Sequence, residues 1–359
     1  MKSGLEDVVA AETVLSDVDG KNGRLIVRGV SLDDLVAGSR YEDVVGLLFD
    51  GFLPSPPDLR TALGAARVAV FPHLTGAAGL KDLSPVEGMR ALLARLADGD
   101  DLPTALELVA APAVFTAGLL RLKAGLPPVS PDPDLSMAAD TLRMVHGAMP
   151  TEQQVAALDR YLVTVADHGL NASTFAARVV ASTQAGLTSS ALAALSALKG
   201  PLHGGAPGPV LDMLDGVGSP ANAGKWLDEA LASGERLMGF GHRVYRVRDP
   251  RADALKGAVR MLAASGAIDP ARLALAEAVE AAALDLLKRK KPDRPLDTNV
   301  EFYTALLLEA LGFPREAFTC VFAMGRVGGW IAHAREQAVD GRLIRPKSVY
   351  VGPVAKEAA

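Results

Sequence analysis

The sequence has little cysteine and few aromatic residues, and both scarcities narrow the class of protein. Its single cysteine, Cys320, cannot form an internal disulfide, which is typical of a reducing compartment and predicts a cytoplasmic protein. Aromatic residues make up only 5% of the chain, whereas apolar residues as a whole make up 49%. The core must therefore consist mainly of Ala, Leu and Val. Ala and Leu are good helix formers, so we expect a mainly α-helical protein.

Several motifs and charge patterns are also missing. The net charge of −5 argues against a nucleic-acid partner. No Cys/His cluster has the spacing of a metal site, and neither a P-loop nor a GxSxG word occurs, so we expect no metal. The acidic N-terminus lacks the apolar run of a signal peptide. The longest uncharged stretch, residues 179–198, is interrupted by polar side chains and predicts a buried helix, not a contact with a membrane.

Turn and capping signals along the chain predict one hairpin followed by helices. Residues 14–18 and 24–27 flank Asp-Gly and Asn-Gly turn signals, a pattern typical of a β-hairpin. Farther on, Ser84 and Glu87 have the spacing of a capping box at a helix start. A second helix is predicted to open at Asp269, just before a proline.

Three of the six histidines lie in short glycine-containing words. These words are ADHGLNASTF around His168, GPLHGGA around His203 and GFGHRVYRVRDPRA around His242. Glycine lets a ligand approach the backbone closely, and a neutral imidazole can donate or accept a hydrogen bond near neutral pH. His203 taken alone is also compatible with a loop residue bonded to the backbone. His73 and His146 have no such surroundings and are interpreted as structural.

A carboxylate and several arginines accompany these histidines. Glu301, in the word TNVEFY, has apolar neighbours, and burial raises a carboxyl pKa toward that of a general base; a surface glutamate at a helix start is the alternative. Arg326 follows an apolar run and needs either an acidic partner or an anionic ligand. The arginines after His242 suit carboxylates and phosphates, or else form a solvated basic turn. Two imidazoles and one base are typical of carbon-acid chemistry.

In their order along the chain, these words resemble the citrate synthase family over the whole sequence. The matching segments are GLEDVVAAET, DGKNGRLIVRG, ADHGLNASTFAARVVAST, GPLHGGA, GFGHRVYRVRDPRA, NVEFY and GWIAHAREQ. The resemblance implies the short, dimeric type of the family, with a mainly α, two-domain helical fold. It further implies a large, dimer-forming domain at residues 1–205 and 313–359. A small, mobile domain at residues 206–312 would carry CoA-binding and catalytic groups and close over the substrates.

The resemblance also implies a reaction and a role for each candidate residue. The reaction is condensation of acetyl-CoA with oxaloacetate, followed by hydrolysis of citryl-CoA to citrate and CoA, with the CoA thioester as substrate and no resident cofactor. His203 would polarise the thioester carbonyl, His242 the oxaloacetate ketone, and Glu301 would remove the methyl proton. The other implied roles are oxaloacetate binding by His168, Arg251, Arg326 and, across a homodimer, Arg345, and CoA binding by Gly239, Gly241 and Arg246.

Two departures from the family pattern leave alternatives open. The chain has Glu301 where the family usually has aspartate, and Thr298-Asn299 where the family has Pro-Asn. An extra methylene moves the carboxylate by roughly 1 Å, and such a displacement can lower a rate on the order of a hundredfold. A catalytically impaired paralogue that binds CoA or the oxo-acid is therefore one alternative. A 2-methylcitrate synthase is another, because one methylene of the acyl group is worth only about 1–3 kcal/mol in an apolar pocket.

Overall fold

The N-terminal part of the fold is a small antiparallel sheet. The computed structural model of the protein describes residues 4–5, 8–203, 207–292 and 296–353. Strand β1 (Ser16–Asp19) pairs with β2 (Arg24–Val27), and β2 pairs with β3 (Val30–Ser31). The predicted hairpin is confirmed, although β1 begins at Ser16 and not at residue 14, and the third strand was not expected.

Helices account for most of the remaining described chain, as the composition predicts. The first are α1 (Leu32–Gly38), α2 (Tyr41–Phe49), α3 (Leu59–Val70), α4 (Pro85–Leu93), α5 (Leu102–Lys123), α6 (Met137–His146) and α7 (Glu152–Val165). They are followed by α8 (Ala172–Ala181), α9 (Leu187–Leu198), α10 (Pro207–Val217), α11 (Ala223–Ala232), α12 (Pro250–Ala264), α13 (Pro270–Lys290), α14 (Val300–Ala310) and α15 (Phe318–Asp340). Short 3-10 helices lie at Phe71–Leu74, Ala77–Leu80, Pro220–Asn222 and Arg315–Ala317.

Helix α15 forms the centre of the core. It is buried along nearly its whole length and packs against α5, α7, α8 and α9. Within the described residues, α5 is the one helix long and apolar enough to cross a membrane, but 78% of its apolar window is buried inside the protein. This burial is what a core helix requires.

Helices α10 to α14 lie inside the range predicted for the small domain. Helix α12 packs against α14 and also against α7, so it joins this group of helices to the earlier part of the chain. The loop before α12 and the loop before α14 face each other, and a β-bridge between Phe240 and Thr298 joins them. The division into two domains stays a prediction.

The prediction of one buried helix across residues 179–198 is wrong. Helix α8 ends at Ala181 and α9 begins at Leu187. Between them Gln184 has a φ of 63° and Gly186 a φ of 101°, a backbone region that a right-handed helix cannot contain. The two helices therefore fold back and pack on each other.

Two predicted helix starts are found, one of them with a different cap. Asp269 caps α13 through a hydrogen bond from the backbone N–H of Ala271. Helix α4 begins after Ser84 as predicted, but the capping box does not form. The Ser84 hydroxyl instead donates to the Glu87 carboxylate at 2.8 Å, so it does not accept the backbone N–H bond that defines the box.

Candidate active site

Segments that are far apart in the sequence converge on one site. His168 lies in the loop between α7 and α8, His203 follows α9, and His242 lies in the loop before α12. The His168 and His242 rings meet edge to face with centroids 5.6 Å apart. Arg251 and Arg326 interact electrostatically with His168 and also with Glu301, at the start of α14. The structure thus brings together the three histidines, the two arginines and the carboxylate that the sequence singled out.

His242 is oriented by its own loop. Its Nδ1 accepts the backbone N–H groups of Val244 at 3.1 Å and Tyr245 at 3.2 Å, so we assign the ring proton to Nε2. Burial, and then the charge of Arg251, lowers the pKa of His242 to about 4, which keeps the ring neutral. Nε2 lies 3.3 Å from Nη2 of Arg251. Two donors cannot satisfy each other, but one ligand oxygen between them would accept from both.

A serine sets the tautomer of His203. The His203 Nε2 lies 2.8 Å from Oγ of Ser173, which also accepts from Nε1 of Trp330 at 3.1 Å. Oγ of Ser173 also lies 2.8 Å from Oδ1 of Asn171, the cap of α8. Because that oxygen already accepts two backbone N–H groups, we assign the Ser173 proton to His203 Nε2. The proton of the imidazole is then on Nδ1, available to a ligand carbonyl. Burial, and then Arg326, lowers the pKa of His203 to about 4, so this donor is also neutral.

Asp249 fixes Arg251 in place. The guanidinium donates from Nε to Oδ1 at 3.0 Å and from Nη2 to Oδ2 at 2.8 Å, and both side chains are buried. Oδ2 of Asp249 also accepts the backbone N–H of Val300 at 3.1 Å, which ties the start of α14 to the start of α12. Nη1 of Arg251 has no hydrogen-bond partner among the described residues. A bidentate pair of this kind holds the arginine rigidly while it keeps a donor for a carboxylate ligand.

Arg326 is a buried cation with an unused donor. Its Nε donates to the carbonyl oxygen of Val165 at 2.5 Å, but Nη2 has no partner among the described residues. Burial lowers the pKa of Arg326 to about 10, so the side chain is still charged at neutral pH. The opposing charge that acts on it most strongly is Asp167, whose Oδ1 likewise has no partner among the described residues. An unpaired buried donor on a cation is costly in free energy, and an anionic ligand would remove that cost.

Glu301 has the properties of a general base. Its backbone N–H donates to Oδ1 of Asn299, the cap of α14, at 3.0 Å. Its carboxylate makes no hydrogen bond or ion pair to the described residues, and the residue is partly exposed. The protein atoms around it nevertheless exclude enough water to raise the pKa of Glu301 to about 7, although Arg251 opposes this. An unpaired carboxylate with such a pKa can accept a proton at neutral pH.

The sequence analysis missed three side chains that shape this site. Tyr245 places its hydroxyl 3.1 Å from Nε2 of His168, and Ser173 and Asp249 have the roles described above. All three lie inside the histidine words. The signal for Asp249 was its place before a proline at a helix start, where aspartate is a preferred cap. Nothing in the sequence alone distinguished Ser173 or Tyr245 from their neighbours.

The predicted CoA-binding residues lie on the loop that carries His242. Gly241 has a φ of 80°, and a Cβ there would come within 2.7 Å of the Leu296 side chain, so glycine is required. Its amide donates to the carbonyl oxygen of Asp297 at 2.7 Å and is therefore not free for a nucleotide. Gly239 has a φ of 86°, and Arg246 is exposed. Their role in CoA binding stays a prediction.

Some sequence candidates lie outside this cluster. Arg345 is exposed in the extended segment that follows α15 and makes no hydrogen bond or ion pair to other described residues. Gly204 and Gly205, which end the His203 word, fall outside the described residues. His146 bonds the carbonyl oxygen of Leu311 at 2.8 Å, beyond the end of α14, which fits a structural role. In the described ranges no group of three or more His, Cys, Asp or Glu side chains is arranged to hold a metal.

Comparisons with known proteins agree with one another over almost the whole chain. A family model described as "Citrate synthase, C-terminal domain" matches residues 4–347. "Putative citrate synthase 2" of Mycobacterium tuberculosis is 40% identical, over 98% of this chain and 92% of that protein. The 2-methylcitrate synthase of the same organism is 36% identical, over 98% of this chain and 91% of that protein. The solved structure of citrate synthase from Thermoplasma acidophilum, in a ternary complex with carboxymethyl coenzyme A and oxaloacetate, matches with a TM-score of 0.89 at 30% identity. The match covers 100% of this chain and 98% of that chain.

Proposed function

Because this chain belongs to the citrate synthase family, we propose that it condenses acetyl-CoA with oxaloacetate and hydrolyses citryl-CoA to citrate and CoA. One observation carries the proposal. Two neutral imidazoles, His203 and His242, and one carboxyl group with a raised pKa, Glu301, lie close to two buried arginines, Arg251 and Arg326, and Arg326 lacks a partner for one nitrogen. This is what the reaction requires, namely donors for two carbonyls, a base and a binding site for an anion.

The first step is removal of a proton from the methyl group of acetyl-CoA. Glu301 takes the proton as a carboxylate, and the Nδ1 proton of His203 stabilises the oxygen of the developing enol. A neutral donor suits this role because its proton remains on the ring as negative charge develops on the oxygen. The Ser173 hydroxyl supports the assignment, since it holds the other ring nitrogen at 2.8 Å.

The second step joins the enol carbon to the ketone carbon of oxaloacetate. The Nε2 proton of His242 polarises the ketone, and its position 3.3 Å from Nη2 of Arg251 supports a ligand oxygen between the two. Arg251, Arg326 and His168 hold the carboxylates. Water then hydrolyses the citryl thioester. Closure of a small domain at residues 206–312 would exclude bulk water until the carbon–carbon bond has formed.

The proposal includes a homodimer with shared sites. The segment after α15 is extended and exposes Leu343, Val349, Tyr350 and Val351, which have no apolar cover in the single chain. Exposed apolar side chains in a row favour burial against a partner. Arg345 lies in the same segment, so a second copy would bring its guanidinium toward the site of the first. A cytoplasmic location, supported by the free and buried Cys320, stays a prediction.

A thiol-release assay tests the proposal. The purified protein is expected to release free CoA from acetyl-CoA only when oxaloacetate is present, and with a higher kcat/KM than from propionyl-CoA. A preference for propionyl-CoA would assign the chain to 2-methylcitrate synthesis. Calorimetric binding of oxaloacetate without thiol release, at high protein concentration across neutral pH, would identify an impaired paralogue and refute the enzymatic proposal.

A further inference from the structure

A single carboxylate behind the active site connects every segment that carries catalytic groups in the α10–α14 region. Glu280, on α13, is 5% exposed. Its Oε1 accepts from Oγ1 of Thr298 at 2.8 Å and lies 3.0 Å from Nη2 of Arg248. Its Oε2 accepts from Nζ of Lys256 and from the hydroxyl of Tyr303, both at 2.6 Å. Both carboxylate oxygens are therefore fully occupied.

The donors to Glu280 lie on both sides of Glu301. Thr298 precedes Glu301 by three residues and Tyr303 follows it by two, and both side chains are buried. Lys256 lies on α12, the helix that begins with Arg251, and Arg248 lies in the loop of His242. Glu280 is ionised at neutral pH. Burial would raise its pKa, but the hydrogen bonds from Lys256, Tyr303 and Thr298 outweigh burial and lower the pKa of Glu280 to about 2.

The other contacts of the backbone around Thr298 run to the loop of His242 and to the start of α12. Phe240 and Thr298 form a single β-bridge, and Asn299 reaches back to the same loop through its Nδ2, which donates to the carbonyl oxygen of Gly241 at 2.7 Å. These contacts join the Glu301 segment to the His242 loop but not to α13. The hydroxyls of Thr298 and Tyr303 attach this segment to α13 through Glu280.

We propose that Glu280 is a positioning residue, which fixes the Glu301 carboxylate relative to His242 and Arg251 through its hydrogen bonds to Thr298 and Tyr303. The proposal rests on the proposed function. Proton transfer requires the base to lie within a narrow range of distance from the methyl group, so a small displacement lowers kcat. The oxaloacetate-binding side chains lie on other segments, and Arg251 is joined to this one only indirectly, through Asp249 and the backbone N–H of Val300. Oxaloacetate binding should therefore change less than kcat.

Thr298→Val is the decisive variant, because valine has nearly the same shape and lacks the hydroxyl. We expect kcat to fall on the order of tenfold. The KM for oxaloacetate and the thermal midpoint should change little, and the acidic limb of the kcat–pH profile, which reports Glu301, should move. Thr298→Ser retains the hydroxyl and should recover most of the rate. Glu280→Gln should lower kcat further.

Glu277→Gln is the matched control. Glu277 lies one helical turn before Glu280 on α13, but it pairs with the exposed Arg260 in the C-terminal half of α12 and makes no hydrogen bond to Thr298 or Tyr303. It should leave kcat and the pH profile unchanged. A Thr298→Val protein with the wild-type kcat and pH profile overturns the inference, even if Glu280→Gln unfolds. An inactive wild-type protein would instead refute the proposed function.

Discussion

The raised pKa of Glu301 predicts that this residue weakens the fold while it serves the reaction. Ionising the side chain in the folded protein is unfavourable, because the surrounding atoms raise its pKa from 4.5 to about 7. At about 1.4 kcal/mol per pH unit, this difference corresponds to about 3 kcal/mol. Glu301→Gln, which has the same shape and no charge, should therefore make the folded protein more stable at alkaline pH.

The sign of the effect depends on pH. Between pH 4.5 and about 7 the folded protein keeps a proton that the unfolded chain has released, so wild-type stability falls as the pH rises. The Gln variant does not titrate in this range. Its advantage over the wild type should be small at pH 5 and approach about 3 kcal/mol at pH 8, with the open side of the carboxylate lowering that value. Thermal midpoints of both proteins at the two pH values measure the difference.

Activity should change in the opposite direction. Loss of a general base costs on the order of 10²–10⁴-fold in rate, so Glu301→Gln should be nearly inactive while it still binds oxaloacetate. The wild-type kcat should rise with pH, reach half of its maximum near pH 7 and level off above it. Glu301→Asp should also lose activity, since residues 298–303 are tethered behind the site and the shorter side chain cannot reach the methyl group.

A Gln variant as fast as the wild type would remove Glu301 from the mechanism. A Gln variant no more stable at pH 8 than at pH 5, relative to wild type, would refute the electrostatic reasoning.

Two further predictions concern the arginines. Arg326→Gln should weaken oxaloacetate binding by roughly 10- to 100-fold in a calorimetric titration, because a charge-assisted hydrogen bond contributes about 1.5–3 kcal/mol. Arg24→Gln, which removes an exposed surface ion pair, is the control. Equal affinities of the two variants for oxaloacetate would contradict the assignment of Arg326. Mixing Arg345→Ala subunits with His203→Ala subunits should restore part of the thiol release that each parent lacks, since one site per heterodimer is then complete. A mixture that stays inactive after confirmed subunit exchange would show that Arg345 does not act across a dimer.

Several features of the fold were predictable because they depend on local chemistry. The shortage of aromatic residues and the abundance of Ala and Leu predicted a helical protein, and the Asp-Gly and Asn-Gly turns predicted the hairpin of β1 and β2. Asp269 was recognisable as a cap since capping acts over two or three residues. The failure at residues 179–198 has a local cause as well. A polar stretch that ends in Gly186 permits a left-handed turn, and composition alone does not show where it occurs.

The sequence alone determined which residue types the site contains, because the histidine words, Glu301 and the arginines are read directly from the order of the chain. Only the tertiary structure decided what those groups can do. The neutral state of His203 and His242 depends on burial beside Arg326 and Arg251 respectively, and the proton positions depend on Ser173 and on two backbone N–H groups. Arg326 meets the carbonyl oxygen of Val165 across 161 residues of chain. Such contacts follow from helix packing, which no local sequence pattern predicts. The unpaired Nη2 of Arg326, which can bind an anion, is formed only by that packing.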